Sequence, residues 1–234
     1  MTNKQTSFTI PLLDAKQWSI ICDFDGTIAP FDVTDAVLQE FAPKVWENIE
    51  EKWLRGEITA RQCMERQIAL IETPVALLDA FLDKVPLTEG FPEFVQFCRT
   101  RKLRLLIVSD GMDYAIQRVL ARHNLSAIPV IANHLLFHGE SGYALAFPYG
   151  EDGCPSGVCK CRVSRDAGGR ILLIGDGRSD CCLAGVASFT LAREGKELER
   201  HCLAQGYPHR LFSNFFDILA DMEKIGGQYE NQEN

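Results

Sequence analysis

No stretch of this 234-residue chain stays apolar for the about 18 residues that a bilayer-spanning helix needs. Its first 17 residues, MTNKQTSFTIPLLDAKQ, lack the continuous apolar core of a secretory signal. Positive charge is also in short supply: 24 Lys and Arg stand against 32 Asp and Glu, a formal net charge of −8. A general nucleic-acid binder, or a protein built for an anionic membrane surface, needs a basic footprint, so the balance argues against both partners. A small phosphorylated metabolite stays open, because it needs only a local positive site. There is no internal repeat, and no low-complexity tract apart from the polar tail 226–234, which is expected to fray.

Cysteine is not scarce. The nine are Cys22, Cys63, Cys98, Cys154, Cys159, Cys161, Cys181, Cys182 and Cys202. Their number is odd, several lie in apolar contexts, and no signal sequence precedes them. They read as mostly reduced thiols in a cytoplasmic protein. With 46% hydrophobic and 24% charged residues the composition is that of a soluble globular chain. The length suits one large domain, or a core with a smaller insert.

WSIIC (18–22) reads as a short buried strand. From about residue 34 to 84 the periodicity is helical only: TDAVLQEF and TARQCMERQIALI carry apolar residues three and four apart. TPVALLDAFLDKV opens on a threonine cap followed by proline. After residue 90, helices and strands alternate. FPEFVQFCRTR, DYAIQRVLARHN, RSDCCLAGVA and NFFDILADMEKI read as helices; LRLLIV, IPVIA, RILLIG and SFTLA read as strands. HLLFHGESGYALAF suggests a hairpin turning at GESG. Such alternation predicts parallel strands with right-handed crossovers, hence a doubly wound α/β sheet. The helical block between the first strand and the rest reads as an inserted cap. The expected division is a core of residues 1–30 and 87–234 and a cap of 31–86.

The polar residues sit where such sheets bind ligands, beyond the carboxyl ends of strands. The first strand ends in DFDGT, the second in SDG, and RILLIG runs into DGRSD. Lys160 stands ahead of a helix leading to that last strand. Two aspartates two apart repel each other and are costly to desolvate, so they call for a cation or a reaction. The chemistry that needs this set is phosphoryl transfer through an aspartyl phosphate. Asp23 would attack and bind metal. Asp25, on the same side of an extended segment, would protonate the leaving oxygen and then activate water. Asp176 would bind the metal, and Mg²⁺ suits an oxygen-rich site with few protein ligands. Ser109 and Lys160 would hold the phosphate oxygens.

The ordered series DFDGT, VSDG, lysine and GDGRSD resembles the haloacid dehalogenase superfamily, in its phosphoserine-phosphatase-like group. The segments ICDFDGTI, EFAP, EGFPEFV, GMDY, ANHLLF and CPSGVCK are similar to the methionine-salvage phosphatases that cleave 2-hydroxy-3-keto-5-methylthiopentenyl-1-phosphate. The resemblance implies a Rossmann-like core with a helical cap and a Mg²⁺-dependent phosphatase. Within it Asp23 matches the nucleophile and Asp25 the acid/base, whose backbone carbonyl also binds metal. Ser109, Asp110, Gly111 and Lys160 match the phosphate-binding positions, Asp176 the metal ligand and Asp180 the outer acidic residue. In the cap, Asp32 and Arg66 are expected to contact substrate. SDG stands where the salvage enzymes read SGG, and the loop before the last strand is shorter, which leaves the chemistry intact but not the substrate. The phosphoethanolamine and phosphocholine phosphatases are the alternative, followed by phosphoserine phosphatases.

Other readings compete. A receiver domain uses similar groups but lacks the DxDGT order and the helical insert. The motifs alone do not separate phosphatase from phosphomutase. Cys154, Cys159 and Cys161 could hold zinc with His134 or His138, although C-x₄-C-x-C is not a standard zinc spacing; loop thiols that pack locally are the other reading.

Overall fold

The computed structural model describes residues 8–230. Strand β1 (Trp18–Cys22) is buried along its whole length. It pairs in parallel with β2 (Arg104–Met112) on one side and β5 (Arg170–Gly175) on the other. Ile20 lies opposite both Leu105 and Leu172. Beyond β2 come β3 (Val130–His138) and, antiparallel to it, β4 (Gly142–Ala146). Beyond β5 come β6 (Phe189–Arg193) and β7 (His209–Phe212). The seven strands thus run in the order β4-β3-β2-β1-β5-β6-β7.

The period-two alternation of strands sorts the apolar residues onto two faces. Ile20, Cys22, Leu105, Ile107, Leu172 and Ile174 join one core; Ile21, Leu106, Val108, Ile171 and Leu173 join the other. Helices α5 (Phe91–Thr100), α6 (Asp113–Arg122) and α10 (Phe215–Glu230) close the first face through residues such as Phe94, Ile116 and Phe215. Helices α7 (Lys160–Ala167), α8 (Cys181–Ala184) and α9 (Glu197–Gln205) close the second through Val163, Leu183 and Leu198. Helices on both faces of a sheet whose six strands β1–β3 and β5–β7 run parallel make the doubly wound α/β architecture expected.

Four helices stand between β1 and α5 in the chain: α1 (Val33–Phe41), α2 (Trp46–Leu54), α3 (Ala60–Ile68) and α4 (Val75–Leu82). The two ends of this insert are tied to each other. Thr88 N–H donates to the Ile28 carbonyl at 2.7 Å, and its hydroxyl donates to the Thr27 carbonyl at 2.8 Å. Thr59 and Gln62 form a capping box at the start of α3.

Several elements depart from expectation for identifiable reasons. Thr73 does not cap α4: Pro74 takes that place, and the Thr73 backbone is drawn to the hairpin, its N–H bound to Ser141 and its carbonyl to the Tyr143 hydroxyl. One backbone bridge, Glu72 with Gly142, interrupts the purely helical block. Strand β3 absorbs both IPVIA and the first arm of the hairpin. Helix α8 is shorter than RSDCCLAGVA because a tight turn, Arg178–Asp180, precedes it. Helix α2 buries no residue, so its apolar periodicity is faint. Helix α10 runs through Glu230, and residues 231–234 of the tail lie outside the described residues.

Gly90 joins the insert to α5 with φ +80°, and a Cβ there would lie 2.7 Å from the backbone nitrogen of Phe216. Neither the conformation nor the space admits a side chain. Gly90→Ala is expected to lower unfolding free energy by about 2 kcal/mol or more, since left-handed strain alone costs roughly 1–2 kcal/mol and a backbone must move as well. Urea denaturation checks it; an unchanged midpoint refutes the packing described.

Candidate active site

At the end of β1 the chain turns rather than continuing extended. Ala29 N–H reaches back to the Phe24 carbonyl at 2.9 Å, and Gly26 takes φ +69°. A Cβ on Gly26 would run into the Asp176 carboxylate, so the turn and the approach of β5 both require glycine. The turn sends the two aspartates to different partners on one cavity. Asp23 is buried; its Oδ1 accepts from Phe24 N–H at 2.8 Å and pairs with Lys160 Nζ at 2.9 Å. Asp25 Oδ1 accepts from Val33 N–H at 2.8 Å, and its Oδ2 accepts from the Ser109 hydroxyl at 3.2 Å.

Lys160, the first residue of α7, is 1% exposed. Its ammonium also meets Asp180 Oδ1 at 2.6 Å. Asp180 Oδ2 accepts from the backbone N–H groups of Asp176 and Gly177 at 3.1 and 3.2 Å. Both Asp180 oxygens are therefore committed, Oδ1 to the Lys160 ammonium and Oδ2 to the loop after β5. Asp176 Oδ1 accepts from the Thr27 hydroxyl at 3.3 Å.

Burial draws the Lys160 pKa down, but Asp180 and Asp23 more than offset it and raise it overall. Asp23 is raised too, by burial first and then by Asp180, against the pull of Lys160. One ammonium does not neutralise Asp23, Asp176 and Asp180, whose carboxylate oxygens lie within 4.8 Å of one another. That residual negative charge, on hard oxygen donors, fits a small divalent cation. Asp23 and Asp176 have oxygens left to offer it, whereas those of Asp180 are taken.

A cavity of about 790 Å³ opens above these groups. Its floor includes Asp23, Asp25, Ser109, Gly111 and Asp176; its roof comes from α1–α3 and includes Asp32, Asp35, Glu50, Trp53, Ala60 and Met64. One side is the loop 151–156, gripped from α3: Arg61 donates to the carbonyls of Ser156, Cys154 and Glu151 at 3.1, 3.5 and 3.5 Å. Asp32 and Asp35 keep an exposed edge but are crowded enough that desolvation raises both carboxyls, Asp35 to about 7.

The expected site residues therefore divide. Asp23, Asp25, Ser109, Lys160, Asp176 and Asp180 come together, and Gly111 lies against Asp25 with no room for a Cβ. Asp32 lines the roof, where it also caps α1 through Asp35 N–H at 2.9 Å. Arg66 does not join them: it is exposed on α3 and is not part of the cavity lining, because the cavity-facing positions of that helix are Ala60, Cys63, Met64 and Gln67. Ile68, on the same helix, is fully buried in the core. The Asp110 carboxylate turns toward the backbone N–H of Val158, at 2.8 Å, in place of a ligand.

All nine cysteines are free thiols. Among the described residues the zinc set is not gathered; His134 Nδ1 instead meets Asp113 at 2.7 Å. Glu50, Trp53, Arg61 and Thr27 were not singled out in the sequence. Thr27 stands inside DFDGT and was open to notice; the other three reach the site only through tertiary packing.

Residues 20–185 match the model of the haloacid dehalogenase-like hydrolases, and the chain belongs to that family. Among similar chains are the 2-hydroxy-3-keto-5-methylthiopentenyl-1-phosphate phosphatases of Brevibacillus brevis and Geobacillus kaustophilus, each 29% identical over 90% of this chain and 97% of its own length. Pdp3-interacting factor 1 of Schizosaccharomyces pombe is 23% identical over 90% of this chain and 96% of its own. Two solved structures share the fold. A haloacid dehalogenase family hydrolase of Salmonella enterica serovar Typhi superposes with TM-score 0.69 at 19% identity, covering 88% of this chain and 70% of its own. A phosphoserine phosphatase captured as a phospho-aspartyl analogue gives 0.65 at 18%, covering 87% and 97%. Among the described residues no helix is long and apolar enough to cross a membrane.

The pH response of the metal-free protein follows from Asp25. Burial first, then the nearby Asp32, pushes its carboxyl from 3.8 to about 8. Asp176 is pushed to about 6, again by burial first. Between pH about 4 and 8 the folded state holds protons that the unfolded chain has released, so stability falls as pH rises through that window. The melting temperature is expected to drop from pH 5 to pH 8, and Asp25→Asn to flatten the drop. A melting temperature that rises over this range contradicts the assignment.

Proposed function

We propose that the protein is a Mg²⁺-dependent phosphomonoester hydrolase that carries the phosphoryl group on Asp23. The observation that supports this is the convergence of two carboxylates in different surroundings, a buried ammonium and a hydroxyl, at the ends of adjacent parallel strands under one cavity. In this reading a carboxylate oxygen of Asp23 bonds to phosphorus as the ester oxygen departs. Asp25, whose carboxyl burial pushes up to about 8 in the metal-free protein, gives a proton to that oxygen. Asp25 then takes a proton from water as the water attacks phosphorus and frees Asp23. Ser109, Gly111 and Lys160 hold the phosphate oxygens, and Asp180 keeps Lys160 in place. Asp23, Asp176 and the Asp25 carbonyl would hold Mg²⁺, which when bound supplies positive charge between the carboxylates and the phosphate. Residues 31–86 act as the cap, excluding water and selecting substrate.

The substrate in this reading is 2-hydroxy-3-keto-5-methylthiopentenyl-1-phosphate. The names of the 29%-identical relatives support it, and Trp53, Ala60 and Met64 offer an apolar end of the cavity for a methylthio group. A second reading, a phosphorylated amine such as phosphoethanolamine or phosphocholine, is favoured by the roof charge. Asp32, Asp35 and Glu50 line it, with no Lys or Arg among the lining residues of α1–α3 or their leading turn.

Asp23→Asn is expected to lower kcat toward an aryl phosphate at least about 10³-fold, since nucleophile and charge are lost together. Near wild-type turnover by the purified variant removes the nucleophile assignment. For substrate, kcat/KM for the methylthio enol phosphate is expected to exceed that for phosphocholine and phosphoethanolamine by about 100-fold, only about 2.7 kcal/mol of differential binding. A preference for the amines that disappears in Asp32→Asn reverses the choice.

A further inference from the structure

The motif SDG leaves the sheet at a defined place. Strand β2 pairs Val108 with Ile131 and next pairs Met112 with Asn133, so four steps of β2 match two of β3. The two extra residues bulge toward the cavity and carry Ser109 and Asp110 with them. A bulge frees backbone groups from the ladder, and in a buried place each needs another partner. Asn133, fully buried, supplies it: Nδ2 donates to the Asp110 carbonyl at 2.5 Å and to Asp110 Oδ1 at 3.3 Å, and lies 4.0 Å from the Met64 sulfur at the roof. Among the described residues none donates to its Oδ1. The amide therefore faces Asp110 with its donor even though its acceptor is left without a partner; the reverse orientation would set oxygen against oxygen.

Asp110 passes the constraint on. Its Oδ1 accepts from Val158 N–H at 2.8 Å, two residues before Lys160. Gly157 has no space for a side chain beside this group: a Cβ would lie 2.7 Å from Asn133 Nδ2 and 2.7 Å from the Phe147 ring. Asn133, Asp110, Gly157 and Val158 are thus packed as one clamp between the Ser109 bulge and the start of α7.

We propose that Asn133 is a positioning residue of the active site. Through Asp110 it locks the Ser109 bulge to the 157–158 backbone and so fixes the spacing between the Ser109 hydroxyl and the Lys160 ammonium. It touches neither substrate nor reacting atoms. The inference rests on the phosphatase reading for its kinetic consequences, but not for the clamp itself.

The test uses the full chain with Mg²⁺. Asn133→Ala is expected to lower kcat for an aryl phosphate about 10- to 100-fold, as removing outer supports of a site commonly does. Its affinity for inorganic phosphate, read by calorimetry, is expected to fall by a similar factor. Amide hydrogen exchange at Val158, slow in the wild type, is expected to quicken. Asn133→Asp, of the same size but without the donor, is expected to behave alike, and Gly157→Ala gives an independent route if either variant fails to fold. In the Asn133→Ala background, Asp110→Asn is expected to cost under about 3-fold more, because the two residues act as one unit. Unchanged Val158 exchange, with or without a loss of kcat, overturns the proposal, as do fully additive losses. If the wild type hydrolyses no phosphoester, the phosphatase reading fails, and Val158 exchange alone decides the clamp.

Discussion

The site depends on Lys160, an ammonium with 1% exposure placed between Asp23 at 2.9 Å and Asp180 at 2.6 Å. Burying a charge without partners costs several kcal/mol, and so does burying these carboxylates. Each is tolerable only because the others are present. The three come from β1, the start of α7 and the turn before α8, so the charge cluster ties together segments far apart in sequence. The residual negative charge of Asp23 and Asp176 then faces the cavity, where the proposed cation would offset it.

The floor and roof of the cavity differ in the way they are held. The floor rests on strand ends and on hydrogen bonds to Asp180, Ser109 and Asp110. The roof is tied down at its edge: Arg61 grips the 151–156 loop, and Arg118 on α6 pairs with Asp79 and Asp83 on and just after α4 at 2.8 Å each. Tyr114 donates to Asp79 at 2.5 Å beside them. These part-exposed pairs contribute modestly one by one. Together they set the orientation in which Trp53, Met64 and the roof carboxylates overlook Asp23 and Asp25.

Much of this was legible in the sequence because it is local. WSIIC is apolar apart from Ser19 because both faces of β1 are covered, and the aspartates that follow stand where strand ends of such sheets meet a ligand. Gly26 stands beside them in DFDGT, and its φ of +69° shows why glycine is there. What stayed hidden depends on distant neighbours. Asn133 is an ordinary strand residue until the bulge of β2 lies beside it. Asp110 lines the cavity, and only the fold reveals that its carboxylate accepts from Val158 N–H. Arg66 was the conspicuous cation of α3, yet helical geometry turns it outward and gives the structural work to Arg61. Helix α2 was indistinct because it buries nothing, although Glu50 and Trp53 overlook the cavity from it.

The insert between β1 and β2 departs and returns through one knot of hydrogen bonds. Thr88 binds the carbonyls of Ile28 and Thr27, and Arg193 from β6 donates to the Gly26 carbonyl at 2.7 Å. To the sheet, everything between those points is a loop whose ends already meet. The entropy of closing such a loop grows only slowly with its length. The loops of the insert can therefore lengthen or shorten at little entropic cost, while its buried residues, Val37, Leu38 and Leu78 among them, stay bound to the core they share with the strands. On the proposed function, a fold wired in this way separates two evolutionary problems: the floor keeps the reaction, and the exposed face of the roof chooses the small molecule.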